Sequence, residues 1–342
     1  MLILAVESSC DETAVALVRD GRTVLADCIA SSVEMHKLYG GVVPEIASRK
    51  HIEVIAQLAD QALAQAGVSR RDIDAVAVTY APGLIGAVLV GVSFAKAVAC
   101  ALGVPLIPVH HVRGHIAANY IAHPELEPPF VCLCVSGGTS LIVDVRGYTD
   151  MAILGGTRDD AAGECFDKIA RVMGLGYPGG APQDRAAQGG NAQAFPQPRV
   201  HIEDAPLDMS FSGLKTAMLN LIHKAQQKGE ALPVADLAAS FSAAVSDELV
   251  PRTMAAARQT GYGKVAVVGG VAANSRIRRD LEAACRQAGC TLYLPPLKLC
   301  GDNGSMIGSQ GYYEYLAGTR AGEDLNGYAN RDISLPYGRE GV

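Results

Sequence analysis

The same order of strands and helices occurs twice along this chain, and this repetition constrains the fold more than any other feature of the sequence. In the first half we predict three strands, at 2–7, 13–18 and 23–30, with Asp20-Gly21 as the hairpin turn before the third. Apolar periodicity then predicts a helix from Pro44 to Gly67, a strand at 73–79, a helix that ends near Gly103, a strand at 106–109 and a helix at 111–123. The order of this half is therefore βββαβαβα.

A similar order begins again at Phe130. The predicted elements are strands at 130–135, 140–145 and 152–154, helices to about Gly261, a strand at 264–268, a helix, and a strand at 291–294. The repetition lies in the order of the elements and not in the residues, so it indicates two structurally similar lobes. Two such halves around a cleft characterise the actin, sugar-kinase and Hsp70 (ASKHA) architecture. We predict an α/β fold of this class with duplicated βββαβαβα halves.

The length of the chain agrees with two domains. A chain of 342 residues, of which 49% are hydrophobic and 19% charged, suits two packed domains of about 150 residues each. We expect a first lobe at 1–129, completed by a C-terminal helix within about 303–342, and a second lobe at 130–302. An irregular excursion near 189–209, which includes Pro196 and Pro198, is either a lid or a plain surface loop.

The N-terminal segment and the cysteines indicate a cytoplasmic protein that does not contact a membrane. Met1 to Val6 is apolar, follows no basic segment and meets Glu7 at once, which predicts a buried strand and neither a signal peptide nor a membrane span. The nine cysteines are an odd number and lie in apolar stretches, as reduced core thiols do in the cytosol.

The charge balance argues against a broadly basic surface for nucleic acid. The formal net charge is −6, so any RNA would have to meet a local patch such as 49–51 or 276–279. The alternative for both clusters is a solvated helix surface. Composition therefore neither predicts nor excludes RNA as a partner.

A pair of histidines is the first candidate for metal binding. His111 and His115 are four residues apart on a predicted helix, which places both imidazoles on one face. Histidines at this spacing are also common on ordinary surfaces and in cores, and a metal site needs a third ligand. We nominate Asp302, which lies in a glycine-rich opening to the last helix and is alternatively a helix N-cap.

Two histidines and a carboxylate suit one divalent ion, Fe(II) or Zn(II). A zincin protease would need glutamate where Val112 stands.

The turns between the first two strands of each half are the next candidates. Residues Val135 to Thr139 form a turn whose backbone N–H groups either bind phosphate or carboxylate oxygens or only close a hairpin. In the first half the corresponding segment carries Asp11 and Glu12. These acids either face the cleft as catalytic bases or only terminate strands.

Three further segments of the second half suit ligand binding. Gly269 to Asn274 leads from a buried strand into a helix whose N-terminus favours a nucleotide, with a helix cap by Asn274 as the alternative. Asp167 comes too late in its helix to serve the helix dipole, which makes its carboxylate a candidate acceptor for substrate hydroxyls. The turn ending at Gly180 and the nearby Asp184 contact a ligand or act as turn and cap.

Together these segments resemble the TsaD (Gcp) family, metal-dependent enzymes that transfer a threonylcarbamoyl group to N6 of the adenosine immediately 3′ of the tRNA anticodon. The resemblance runs from about Leu2 to Asp332, with the matching segments in family order: 40–51, 111–115, 136–138, 159–168, 210–216, 269–276 and 302–307. It implies that the metal, with Fe(II) favoured, is held by His111, His115 and Asp302. It also implies that threonylcarbamoyl-AMP is bound by Val135, Ser136, Gly137, Gly138, Thr139, Asp167, Gly180, Asp184 and Asn274.

The resemblance further implies a set of partners. These are tRNA, a separate synthase that makes threonylcarbamoyl-AMP, a TsaB-like paralogue and a TsaE-like ATPase. One departure from the family pattern affects a substrate contact: the histidine that usually follows the Ser-Gly-Gly turn is absent, and Thr139 follows Gly138. A second, Ala181 in place of the proline after Gly180, leaves both backbone glycines available. Two alternatives remain: a small-molecule kinase of the ASKHA class, in which the histidine pair has no role, and a non-catalytic nucleotide-binding scaffold.

Overall fold

A computed structural model describes residues 1–199 and 202–338 of the chain. The chain divides into two units: the first comprises Met1–Pro128, Arg146–Met151 and Pro295–Val342, and the second comprises Pro129–Val145 and Ala152–Leu294. The sequence analysis placed 146–151 and 295–302 in the second lobe, whereas here both belong to the first unit. Tyr148 explains the first difference, since its ring stacks on Tyr313 and its carbonyl accepts a hydrogen bond from Gln310. Residues 339–342 of the predicted C-terminal range lie outside the described residues.

The strands form two sheets, one in each unit. They are β1 Leu2–Glu7, β2 Glu12–Arg19, β3 Thr23–Ser31, β4 Ala75–Ala81, β5 Leu106–His110, β6 Phe130–Val135, β7 Ser140–Val145, β8 Met151–Gly156, β9 Lys264–Val268 and β10 Thr291–Tyr293. The first sheet has the order β3-β2-β1-β4-β5, and the second has the order β10-β9-β6-β7-β8. Read from the opposite edge, the second order is β8-β7-β6-β9-β10. This order equals the first one when each strand of the first half is replaced by the corresponding strand of the second half. The predicted duplication is therefore confirmed.

Each sheet combines an antiparallel hairpin with parallel strands. β1 pairs antiparallel with β2 and parallel with β4, and β6 pairs antiparallel with β7 and parallel with β9. Both central strands are buried along their whole length, as continuous apolar runs covered on two faces should be. Asp20 and Gly21 have φ of 51° and 70°, the left-handed conformation that turns of this sequence adopt, so the predicted turn is confirmed.

The helices follow the predicted alternation. They are α1 Val33–Lys37, α2 Pro44–Ala66, α3 Ile85–Leu102, α4 His111–Ala122, α5 Ala162–Val172, α6 Gly180–Ala186, α7 Ser212–Lys228, α8 Val234–Thr260, α9 Ser275–Ala288 and α10 Gly304–Leu316. Pro44 begins α2, where its missing N–H costs nothing, and Gly67 ends it with a φ of 64°. The sequence analysis did not predict α1, because five residues are too few to show a helical periodicity.

The last helix belongs to the first unit and lies against its sheet. α10 packs on α4, β1 and β2. A Cβ built on Gly308 would lie 2.5 Å from Cγ2 of Val18, so only glycine permits this approach. This close packing places the start of α10 beside α4, where the candidate metal ligands lie.

One helix in the described part of the chain, α3, is long and apolar enough to cross a membrane. Its mean hydropathy over 18 residues is 2.1. Ala87, Val88, Val92 and Ala95 are buried, and the helix packs on β4 and α2. Core helices of α/β proteins have the same composition, so this single helix is weak evidence for a membrane.

Residues 200 and 201 of the excursion predicted near 189–209 lie outside the described residues. The described residues of this segment form neither a helix nor a strand. It is attached to the second unit at both ends. The N–H of Asn191 donates to Asp236, and Asp208 accepts from the N–H of Gly156 and from Nε of Arg158. These attachments hold the ends of the segment in place.

Candidate functional site

The three side chains predicted to bind a metal lie together in the first unit. His111 and His115 belong to the first two turns of α4, and Asp302 precedes α10. The ligand atoms of the three residues all lie within 4.8 Å of one another. Oδ1 of Asp302 is 3.5 Å from Nε2 of His111 and 3.1 Å from Nε2 of His115. The three donors converge as the protein ligands of a divalent metal do.

The surroundings of His115 give an independent reason why these residues fit a metal. The side chain is only 4% exposed, and among the described residues its ring nitrogens have no polar partner other than Oδ1 of Asp302, which lies 3.1 Å from Nε2. Buried polar atoms in proteins nearly always have a partner. A metal ion bound to one imidazole nitrogen would satisfy that atom.

The second ring nitrogen of His111 faces a buried carboxylate. Nδ1 lies 3.1 Å from Oε2 of Glu7 and 3.1 Å from Oγ of Ser9. Glu7 is fully buried at the end of β1, where Oε1 accepts from the N–H of Ser9 and Oε2 accepts from the hydroxyl of Thr79. His111 is therefore held from the side opposite to Asp302.

Mutual attraction dominates the electrostatics of this cluster. Burial by itself would raise the pKa of Asp302, but the charge of His111 and the attraction and hydrogen bond of His115 together outweigh it and lower that pKa to about 2. Burial would lower the pKa of His111, but Glu7 and Asp302 raise it to about 9. Burial would likewise raise the pKa of Glu7, but the charge and hydrogen bond of His111 and the hydrogen bond from Ser9 together lower it. The metal-free cluster thus holds a proton on His111 between two carboxylates.

Helix caps hold Asp302 in place. The side chain of Asn303 caps α10 by accepting from the N–H of Met306. Asp27 on β3 accepts from the N–H groups of Gly304 and Ser305. Asp302 itself leaves these N–H groups to other acceptors, so its oxygens remain available to the histidines. The alternative role of Asp302 as the helix cap is filled by its neighbours.

The predicted catalytic acids lie where the loop after β1 meets β2: Asp11 ends the loop, and Glu12 is the first residue of β2. The carbonyl of Asp11 accepts hydrogen bonds from the N–H and hydroxyl of Ser32, and Oε1 of Glu12 accepts from the hydroxyl of Ser31. Burial, followed by the nearby charge of Asp11, raises the pKa of Glu12 to about 9. Glu12 is therefore protonated at neutral pH, which does not suit a general base.

In the second unit, the predicted turn connects β6 to β7. The N–H of Ser136 donates to the carbonyl of Thr139 at 2.8 Å, which closes the turn without the histidine usual in the resembled family. Gly137 and Gly138 have open space around them. The N–H of Gly163, at the start of α5, donates to the carbonyl of Ser136, so the turn lies at a helix N-terminus.

The other residues predicted to bind substrate hold turns and helix ends of the second unit. Oδ1 of Asp167 accepts from the N–H of Gly179 at 2.6 Å, and Gly180 has open space around it. Oδ1 of Asp184 accepts from the N–H and hydroxyl of Ser275. Asn274 caps α9 by accepting from two backbone N–H groups. Asp167 connects α5 to the turn before α6, and Asp184 connects α6 to the start of α9. The ligand contacts of both residues stay a prediction.

Comparison with known proteins decides the family. The family model described as "TsaD: tRNA N6-adenosine threonylcarbamoyltransferase" matches residues 23–309. A protein of Clostridium botulinum (strain 657 / Type Ba4) with the name tRNA N6-adenosine threonylcarbamoyltransferase is 52% identical over 328 residues, which are 96% of each chain. A protein of the same name from Moorella thermoacetica is 53% identical over 324 residues, 95% of each chain. This chain belongs to the TsaD family.

A solved structure supports the fold of this TsaD-family chain. The structure of T. kodakarensis HypF matches 95% of this chain and 49% of its own, with a TM-score of 0.61 and 17% identity. At that identity the likeness concerns the fold alone. The predicted ASKHA class is confirmed, with the corresponding strand orders of the two sheets as its structural basis.

Sequence reasoning missed the residues that support the candidate metal ligands of this TsaD-family chain. Glu7 gave a usable signal, since a carboxylate directly after a buried apolar strand needs partners. Thr79 and Asp27 gave none, because a threonine in a strand and an aspartate in a meander are ordinary residues. Their contacts depend on chain segments that are far apart in sequence.

Proposed function

We propose that this chain transfers a threonylcarbamoyl group from threonylcarbamoyl-AMP to N6 of the adenosine immediately 3′ of the anticodon in tRNA. The observation that carries the proposal is the 52% identity, over 96% of each chain, to a relative named for this activity. The N6 amine attacks the carbamoyl carbon, and the bond from that carbon to the phosphate oxygen breaks. AMP leaves with the electron pair, and the amine loses one proton.

A divalent metal ion is part of the proposal. His111, His115 and Asp302 would hold one ion, with Fe(II) favoured and Zn(II) as the alternative, and three protein ligands leave further positions open. When bound, the ion would supply Lewis acidity toward substrate oxygens. The buried imidazole of His115, whose Nε2 has only the carboxylate of Asp302 as a polar partner among the described residues, supports this assignment.

The second unit would bind the adenylate. The N–H groups of the open turn at 136–139 suit phosphate or carbonyl oxygens, and the N-terminus of α5 lies beside it. Asp167, Gly180, Asp184 and Asn274 would contribute the remaining contacts. Glu12, which carries a proton at neutral pH, would donate a hydrogen bond to a substrate oxygen.

The proposed setting is the cytoplasm, where tRNA is modified. The upstream reaction is the formation of threonylcarbamoyl-AMP from threonine, bicarbonate and ATP by a separate synthase. We propose a TsaB-like paralogue and a TsaE-like ATPase as protein partners.

The test is a reconstituted reaction. Unmodified tRNA, threonine, bicarbonate and ATP would be incubated with the synthase, the partner proteins and this chain, and the digested tRNA examined for threonylcarbamoyladenosine by mass spectrometry. We expect product with the wild type and a loss of about 100-fold or more with His111→Ala, as for removal of a group that stabilises transition-state charge. His223→Ala, an exposed histidine of α7, is the matched control and should retain activity.

Each outcome separates the parts of the proposal. Absence of product from a folded, metal-loaded wild type with active partners would contradict the transferase and favour the kinase or the scaffold. Full activity of His111→Ala would leave the transferase standing and contradict the metal site.

A further inference from the structure

A fully buried glutamate contacts the candidate metal site from outside the ligand set. Glu7 ends β1, and its carboxylate joins three other parts of the first unit: the loop at Ser9, β4 at Thr79 and the start of α4 at His111. Its exposure is 0%. A buried carboxylate is costly unless hydrogen bonds and opposite charge compensate it, so this position needs an explanation.

The hydrogen bonds to Glu7 determine which nitrogen of His111 is free. The N–H of Ser9 donates to Oε1 at 2.5 Å, and the hydroxyl of Thr79 donates to Oε2 at 2.5 Å. Both oxygens are therefore acceptors, as in an ionised carboxylate. Nδ1 of His111, 3.1 Å from Oε2, then carries a hydrogen. In the neutral imidazole this leaves the lone pair on Nε2, the nitrogen that faces Asp302.

The two histidines of the cluster differ in this respect. Nδ1 of His111 has a carboxylate and a hydroxyl as neighbours, whereas Nδ1 of His115 has no hydrogen-bond partner among the described residues. Orientation through the second nitrogen therefore applies to one histidine only. Removal of the Glu7 carboxylate should therefore affect metal binding through His111 and not through His115.

The charges agree with a dication. Glu7 and Asp302 bring two negative charges to the cluster, and neutral histidines bring none. A divalent ion would bring the sum of these groups to zero, whereas a monovalent ion would leave a net charge in a buried site.

We propose that Glu7 is a positioning residue for the metal: its carboxylate holds Nδ1–H of His111, so that Nε2 is directed to the point shared with His115 and Asp302. This inference rests on the metal site of the proposed function and names the residue that preorganises it. In metal sites such outer carboxylates orient the ligating imidazole and increase its basicity.

The experiment measures metal binding directly, without activity. The full chain would be purified metal-free, and the Zn(II) dissociation constant measured by competition with a chromogenic chelator for wild type, Glu7→Gln, Thr79→Val and Ser8→Ala. We expect Glu7→Gln to weaken binding by about 10–100-fold, the usual effect of losing such a partner. Thr79→Val keeps the carboxylate but removes one of its donors, so its loss should be smaller and in the same direction. Ser8→Ala removes a buried hydroxyl that bonds to the carbonyl of Ala87 and should bind as wild type.

A second readout separates positioning from general loss of structure. In the Co(II)-loaded protein the visible absorption reports ligand geometry, and it should change for Glu7→Gln but not for Ser8→Ala. Imidazole ¹⁵N spectra should show His111 protonated at Nδ1 in the Zn(II)-bound wild type. Thr79→Val provides both measurements if Glu7→Gln does not fold.

The outcomes distinguish this inference from the proposed function. If wild type binds Zn(II) and Glu7→Gln binds it within about threefold, the positioning role is wrong and the metal site remains. If wild type binds no divalent ion, the metal site itself is wrong, and Glu7 is a structural residue of the first unit.

Discussion

At the scale of single residues, the candidate site is defined by neighbours that alter each other's protonation. His111 lies between Glu7 and Asp302, and its pKa is raised to about 9, while that of Asp302 is lowered to about 2. Glu12 keeps its proton to about the same pH for a different reason, since burial and the nearby Asp11 disfavour its charged form. Glu7 and Glu12 are the same residue type a few positions apart, yet the pKa of Glu7 is lowered and that of Glu12 is raised, so the two side chains have opposite charge states.

The raised pKa of His111 predicts that protons compete with the metal. Binding at Nε2 must displace one proton below pH 9, so the apparent Zn(II) affinity should increase by about tenfold per pH unit from pH 6.5 to 8.5. Asp302 stays ionised over this range and releases no proton. Chelator competition at several pH values checks the slope, and an affinity independent of pH would contradict it.

In the metal-free chain, the stabilisation from charged His111 is complete below its ordinary pKa of 6.5 and is lost as the pH rises through about 9.

Glu12 allows a direct test of its charge state. Because the carboxyl is protonated at neutral pH, Glu12→Gln keeps a hydrogen-bond donor of similar shape and should retain transfer activity within about tenfold at pH 7. Glu12→Ala removes the donor and should lose more. The initial rate of threonylcarbamoyladenosine formation measures both. A loss beyond about 100-fold in Glu12→Gln alone would indicate an ionised base instead.

At the scale of elements, the position of α10 decides where Asp302 lies. The helix packs on α4 and on the sheet, and Asp27 and Asn303 hold its first turn. Arg113 of α4 forms a buried ion pair with Glu314 of α10 at 2.9 Å and donates to the carbonyl of Ile333. Helix α4, which carries the two candidate histidines, and α10, which follows Asp302, are therefore joined to each other and to the segment that contains Ile333.

Gly308 tests the close packing of α10. Its substitution by alanine would place a methyl group 2.5 Å from Cγ2 of Val18, so Gly308→Ala should lower the free energy of unfolding by about 1–3 kcal/mol. Gly213→Ala on the exposed side of α7 meets nothing within 4 Å and should be neutral or stabilising by about 0.5 kcal/mol. Urea denaturation of the metal-free chain measures both. Equal stability of Gly308→Ala and wild type would show that Val18 and its strand shift enough to accommodate the added methyl group.

At the scale of the whole molecule, the two candidate groups belong to different units of the same topology. The candidate metal ligands and Glu7 lie in the first unit, and the residues predicted to bind the adenylate, from Val135 to Asn274, lie in the second. Duplication thus provides two similar frameworks, and each carries its own set of polar side chains at the turn after its first strand.

This separation predicts that the two groups can be altered independently. Asn274→Ala should raise the KM for threonylcarbamoyl-AMP and lower stability by about 1 kcal/mol through loss of the α9 cap, with Zn(II) affinity unchanged. His111→Ala should lose the metal. Steady-state kinetics and chelator competition on the same samples provide the comparison. A metal affinity that falls in Asn274→Ala would contradict the assignment of the two groups to separate units.

The sequence by itself determined the element order, the duplicated α/β class and the family, because these depend on local periodicity and on motifs a few residues long. It also determined that His111 and His115 share a helix face, since four residues are about one turn. Only the tertiary structure brought Asp302 to these histidines, assigned 146–151 and 295–302 to the first unit, and placed Glu7, Thr79 and Asp27 around the ligands. These contacts join residues more than 70 positions apart, and they form only when helix and sheet faces pack, which no local pattern records.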